Sequence, residues 1–203
     1  MKFRNISFSF KIIKVKLHFI SGKLNYFNAK WWGVKIGKNV KFNGRCNIER
    51  FPGTEIFIGD NCKFLSRANS NLIGINRPCS IATLQSEFIA KLIIGDNCGF
   101  SGTVIGAFKL IRIGNNVICG ANTLITDSDW HLEDFRSGEC LEVNIEDNVW
   151  LGINVVVLKG VTIGENSLIG ANSVVTKSIP KNVIAAGNPC KVIKYLTIVD
   201  DKQ

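Results

Sequence analysis

Residues 145–175 read IEDNVWLGINVVVLKGVTIGENSLIGANSVV, and a branched aliphatic returns every six residues at Ile145, Leu151, Val157, Ile163, Ile169 and Val175. A short strand and a turn repeated at this spacing stack in parallel, each backbone pairing with the coils above and below at about 4.8 Å. One aliphatic per face then points inward, and three hexapeptides, one to a face, close a triangular coil. Working outward, the unit Ile-Gly-x-Asn recurs at Ile36, Ile58, Ile94, Ile113 and Ile163, with Glu146 in the glycine's place after Ile145. Position numbers along this series step by 22, 36, 19, 32 and 18, which are whole coils once insertions of 4, 0, 1, 14 and 0 are removed. From Ile36 to Cys190 this arithmetic leaves about seven and a half coils, a prism about 36 Å long. Gly164 and Asn166, or Gly170 and Asn172, are expected at corners that need positive φ.

The 203 residues, 46% hydrophobic and 20% charged, suit one domain with a short appendage and exclude a disordered chain. Residues 1–45 hold 11 of the 25 Lys and Arg and no acid, so the surplus positive charge sits in an N-terminal arm, residues 1–32, interleaved with aromatics. Its apolar residues Ile6, Phe10, Ile13, Leu17, Ile20 and Leu24 follow helical spacing, although a strand alternation also runs through it. The arm is expected to cap the prism, and a contact with an anionic membrane surface is a second expectation; nucleic acid is not expected as a partner. Lys11, Lys14 and Lys16 interrupt the apolar stretches, so no membrane span or secretory core is expected and the chain reads as cytoplasmic, with peripheral attachment to the inner leaflet open to it. Seven cysteines without a C-x-x-C pair read as reduced thiols that fill space.

A regular prism has no cleft, so chemistry is expected where the period breaks, in the inserted loop 126–142. The loop carries His131, one of only two histidines. A neutral imidazole is the side chain best poised to take up a proton near pH 7, which makes His131 the candidate base. Asp127, Asp129 or Glu139 can orient it. Asp-Ser-Asp at 127–129 reads as a turn, and no metal is assigned. Trp150, just after the insertion, is a candidate wall of the cleft, and Ser101 a candidate hydrogen-bonding side chain. Backbone N–H groups at corners such as Gly152 or Ala171 are candidate oxyanion donors.

Asn148-Val149-Trp150-Leu151-Gly152, Gly160-Val161-Thr162-Ile163-Gly164, the run Ile169–Lys177 and Ala186-Gly187-Asn188-Pro189 resemble the hexapeptide-repeat acyltransferases, in particular the galactoside, maltose and capsule-sugar O-acetyltransferase branch. The resemblance spans about residues 33–194, leaving 195–203 as a short tail. It implies an all-β, left-handed parallel β-helix, the handedness coming from the resemblance alone. It further implies acetyl transfer from acetyl-CoA to a sugar hydroxyl, in bacterial surface-polysaccharide synthesis, by direct attack with His131 as catalytic base. Glu139, after Gly138, matches an acid at the acceptor site of such enzymes and is the first choice as the catalytic carboxylate beside His131; Ser101, Asp129 and Trp150 form the expected acceptor site. Thr176, Lys177 and Lys191 fall at coenzyme positions, Lys191 where the family usually has Arg, and Gly152, Gly170 and Ala171 would line the groove. A homotrimer with the site between neighbours is implied as well. An amino-sugar N-acetyltransferase and a catalytically silent scaffold are the alternative readings. Two histidines are too few for the zinc site of a γ-class carbonic anhydrase.

Overall fold

The computed structural model describes residues 22–197; the arm before residue 22, with most of its apolar pattern, and residues 198–203 lie outside it. Three parallel sheets share the chain, each taking one short strand from every turn. The first face runs from Lys35–Ile36 through Glu55–Ile58, Lys91–Ile94, Leu110–Ile113 and Val143–Ile145 to Thr162–Ile163. The second starts at Lys41–Asn43 and the third at Asn47–Arg50. On the second face Val183–Ala186 adds a last parallel strand, and Lys191–Tyr195 folds back against it antiparallel and ends the sheet.

The six-residue period does place the aliphatics inside: Ile145, Leu151, Val157, Ile163, Ile169 and Val175 are all fully buried. On the second face the inner column passes from the stacked rings of Phe42, Phe64 and Phe100, with centroids 5.1 and 4.9 Å apart, to Cys119, Leu151, Ile169 and Ala185. All seven cysteines are buried free thiols. Cys62 and Cys98 stand in adjacent coils and donate to the carbonyls of Gly95 and Gly114.

At the corners, asparagine and glycine have separate tasks. Asn148, Asn166 and Asn182 adopt φ near +60° (61°, 59° and 58°), and their amides form a ladder between coils at 3.1 and 3.0 Å. Gly164, expected to supply positive φ, does not have it; a Cβ there would lie 2.4 Å from the Lys181 nitrogen of the next coil. Space, and not torsional freedom, requires that glycine.

The coil count differs from the arithmetic. Among the described residues six coils are complete and a seventh is partial, so the first and sixth coils are about 24 Å apart. Ile58 pairs directly with Ile94, which makes the chain between them one coil with two excursions, 66–79 and 84–90, instead of two regular coils. The excursion 84–90 and the loop 127–142 leave from the same corner, between the third and first faces.

A helix over 22–31 precedes the first strand. Ala29 and Asn25 face the prism, and the Asn25 amide bonds Gly44 O and Cys46 N. The end of the expected arm is therefore helical and packs on the first coil.

Candidate active site

The loop 127–142 begins with an acid held by backbone. Asp127 is fully buried and accepts from the N–H groups of Phe108, Lys109 and Leu110, each at 2.8 Å. Burial pushes its carboxyl up, against the pull of those three donors. This carboxylate ties the loop to the preceding coil and does not orient an imidazole. Trp130 follows with φ +70°. Its indole lies over Gly106, where a Cβ would come within 2.5 Å of Cζ2, meets Phe108 edge-on at 5.5 Å and donates from Nε1 to Thr126 Oγ1 at 3.0 Å.

With the neighbouring residue anchored in this way, the His131 side chain projects outward and is 79% exposed. Its carbonyl accepts from Asp134 N and Ser137 Oγ, closing a turn. The carboxylate brought to the imidazole is Glu133, 3.6 Å from Nδ1; the Glu139 carboxylate is exposed and bonded to nothing among the described residues. Arg136 clasps Asp134 with two bonds, at 2.9 and 2.6 Å, and holds its carboxyl at about 2.

Asp129 holds the loop to the next coil. Its Oδ2 accepts from Lys159 Nζ at 2.6 Å and from Gly138 N at 3.0 Å, and Lys159 lowers its pKa. Lys159, only 19% exposed, belongs to the next coil, so one carboxylate joins both ends of the loop to the prism. Sequence reasoning missed Lys159 and Trp130. Trp130 was visible as the aromatic beside the only loop histidine, but the partners Asp129 and Lys159 stand too far apart in the chain to leave a local pattern.

The remaining candidates lie elsewhere on the prism. Trp150 points outward from the second face, 52% exposed, between Ile118 and Leu168 of adjacent coils, so it does not pack in the core. Ser101 ends a second-face strand and accepts from Asn71 of the 66–79 excursion at 3.2 Å. Gly152, Gly170 and Ala171 turn the corner between the second and third faces. The Gly152 N–H bonds Ile169 O at 2.8 Å and is not available to an oxyanion, whereas the Ala171 N–H has no partner among the described residues. A Cβ on Gly152 would strike Ala171 N at 2.7 Å, so coil stacking accounts for that glycine. Thr176 and Lys177 are exposed where the chain leaves the third face, on the His131 side, and Lys191 is exposed in the final strand.

One chain therefore presents His131, Asp129, Thr176 and Lys177 along one corner. Trp150, Ser101, Gly152, Gly170 and Ala171 lie on the second face and its far corner, with the body of the prism between the two sets. Among the described residues, no three His, Cys, Asp or Glu side chains gather as metal ligands, and no helix is long and apolar enough to cross a membrane.

Residues 142–177 match the family described as bacterial transferase hexapeptide (six repeats). The galactoside O-acetyltransferase of Lactococcus lactis is 41% identical over 166 residues, 76% of this chain and 77% of that protein. The galactoside O-acetyltransferase of Escherichia coli is 44% identical over 113 residues, 53% of this chain and 55% of its own length; this chain thus spans about half of some curated relatives. Among solved structures, AntD, an N-acyltransferase from Bacillus cereus in complex with dTDP and 3-hydroxybutyryl-CoA, superposes with a TM-score of 0.60 at 20% identity, covering 85% of this chain and 88% of that one. That likeness concerns the fold. Six stacked triangular coils, the matched repeats and a relative aligned over three quarters of both chains together place this protein in the hexapeptide-repeat acetyltransferase family, with its left-handed parallel β-helix.

Proposed function

We propose that the protein transfers an acetyl group from acetyl-CoA to a saccharide hydroxyl, at a site that two copies of the chain complete together. The observation that carries this reading is the outward projection of His131 from a loop pinned at both ends, in a chain similar to a galactoside O-acetyltransferase over most of its length. The imidazole removes the acceptor hydroxyl proton as that oxygen attacks the thioester carbonyl carbon. The unengaged Ala171 N–H is suited to the oxyanion that forms. When the C–S bond breaks, the imidazolium returns its proton to the departing thiolate, leaving acetyl ester, free thiol and neutral His131. Acetyl-CoA supplies the activated acyl group; Lys177 and Lys191, exposed and without an ion pair among the described residues, suit its phosphates.

The outward rows support assembly. Ile118, Trp150, Leu168 and Ile184 line the second face, and Val104, Leu124, Val156 and Val174 the third. In these later coils, the fourth to the sixth, the first face offers Arg112, Asn144 and Thr162, after Phe57 and Ile93 in the second and third. Two different apolar faces suit a head-to-tail contact that closes into a ring, and a trimer brings the His131 corner of one copy to the second face of the next. Acceptor-dependent release of coenzyme thiol from acetyl-CoA, measured for wild type and His131→Ala, tests the reaction. Release that vanishes in the variant is expected; equal release from both proteins would remove His131 from catalysis.

We also infer attachment to an anionic membrane surface through the 22–31 helix, which turns Leu24, Phe27 and Trp31 outward, 64%, 68% and 88% exposed. These residues share one helical stripe, next to the basic arm. The full chain should sediment with anionic vesicles and its Leu24→Ser/Phe27→Ser/Trp31→Ser variant should not; equal sedimentation would contradict this attachment.

A further inference from the structure

The second face holds a groove of about 670 Å³, lined by Lys41, Lys63, Gly99, Ser101 and Ile118 among others, and no carboxylate of the described residues lines it. Its floor is open because Gly99 carries no side chain and a Cβ there would meet nothing within 4 Å. At one end Lys41 and Lys63 stand directly opposite each other in adjacent strands, both exposed. Neither ammonium has an ion-pair partner among the described residues. Like charges in that relation repel and weaken the pairing, so the fold keeps an unfavourable contact that an anion would relieve. At the other end the same outward row continues through Ile118 to Trp150, a half-exposed aromatic platform. Lys63 and Trp150 are three strands apart, roughly 14 Å.

We propose that this groove selects an acceptor saccharide that bears an oxyanion, phosphate or carboxylate, which Lys41 and Lys63 bind while Trp150 stacks on the sugar. The inference rests on the acyl-transfer reading and names its substrate class. A neutral sugar would leave both ammonium groups without a partner. Lysine serves here as a point charge, so no bidentate geometry is required.

The test uses the full chain, its Lys41→Ala/Lys63→Ala variant and the charge-conserving Lys41→Arg/Lys63→Arg variant. Thiol release is measured with galactose, galactose 1-phosphate, galacturonic acid and UDP-galactose as acceptors, and binding of inorganic pyrophosphate by calorimetry. At least one anionic acceptor should have a kcat/KM about tenfold or more above that of galactose. The alanine variant should remove most of that advantage, a loss of about tenfold or more, with the arginine variant retaining most of it. The phosphate, diphosphate and carboxylate arms identify the source of the charge. Anionic acceptors no better than galactose, or a variant that lowers all acceptors equally, would overturn the proposal. So would a variant that raises the KM for acetyl-CoA alone, because the lysines would then hold the coenzyme. Pyrophosphate binding that the alanine variant abolishes, with no thiol release from any acceptor, would support the anion site and overturn the acyl-transfer reading separately.

Discussion

Asp127, Asp129 and His131 alternate along one short stretch of the loop, and each meets a different environment. Asp127 is buried on three backbone donors; removing it as Asp127→Ala leaves those N–H groups unsatisfied and should cost about 3 kcal/mol in a denaturant titration. A change no larger than that of an ordinary surface substitution, about 0.5 kcal/mol, would show that water replaces the carboxylate. Asp129 answers Lys159 across the coil. Because that contact depresses its pKa below the ordinary 3.8, its contribution is present above that pH and is lost as pH falls through the lower, folded-state value. Amide exchange at Gly138 should therefore accelerate, relative to the intrinsic rate, only below about pH 4. Lys159→Met should lower kcat about 10- to 100-fold through misplacement of the loop, and Lys159→Arg should restore much of it. Equal activity in all three proteins would reduce the bridge to a surface contact. His131 itself is exposed, so His131→Ala should cost about 10²- to 10⁴-fold in rate with no change in thermal midpoint.

At the scale of the element, the triangular coil tolerates excursions only at corners, because a strand with an added residue would turn its inward aliphatic outward. The hexapeptide period was legible for this reason: the columns through Ile145, Leu151 and Val157 repeat it without exception. The gap from Ile58 to Ile94 was not, since two excursions that together add the length of one coil leave the arithmetic unchanged. Only the pairing of Ile58 with Ile94 separates the two readings. Glycines distinguish stacking from the site in the same way. Gly164→Ala would press a Cβ against the Lys181 backbone and should destabilise the protein by about 2 kcal/mol. Gly106→Ala would press on the Trp130 ring, which can swing aside, so catalysis should suffer more than stability. Comparing thermal midpoint and kcat for the two variants checks this; a reversed order would mean that Trp130 does not hold the loop.

For the whole molecule, the candidate residues were legible one by one from motif and chemistry, but their distribution over the prism was not, because the sequence period carries no record of which corner faces which. His131 lies along one corner and Trp150 on the face across from it. The loop histidine and the Trp150 groove thus belong to one site only if copies adjoin. Light scattering should give a mass of three chains, about 67 kDa from the 22.4 kDa of one, and a fully active monomer would contradict that arrangement. The most direct measurement is complementation between two variants, His131→Ala and Trp150→Glu, each expected to be inactive alone, after they are unfolded, mixed in equal amounts and refolded. With sites shared between neighbours, random trimers hold about one quarter of sites with both groups intact, so thiol release should return to about a quarter of wild type. If each site belonged to a single chain, no mixed trimer would carry an intact one, and the mixture would stay as inactive as its components.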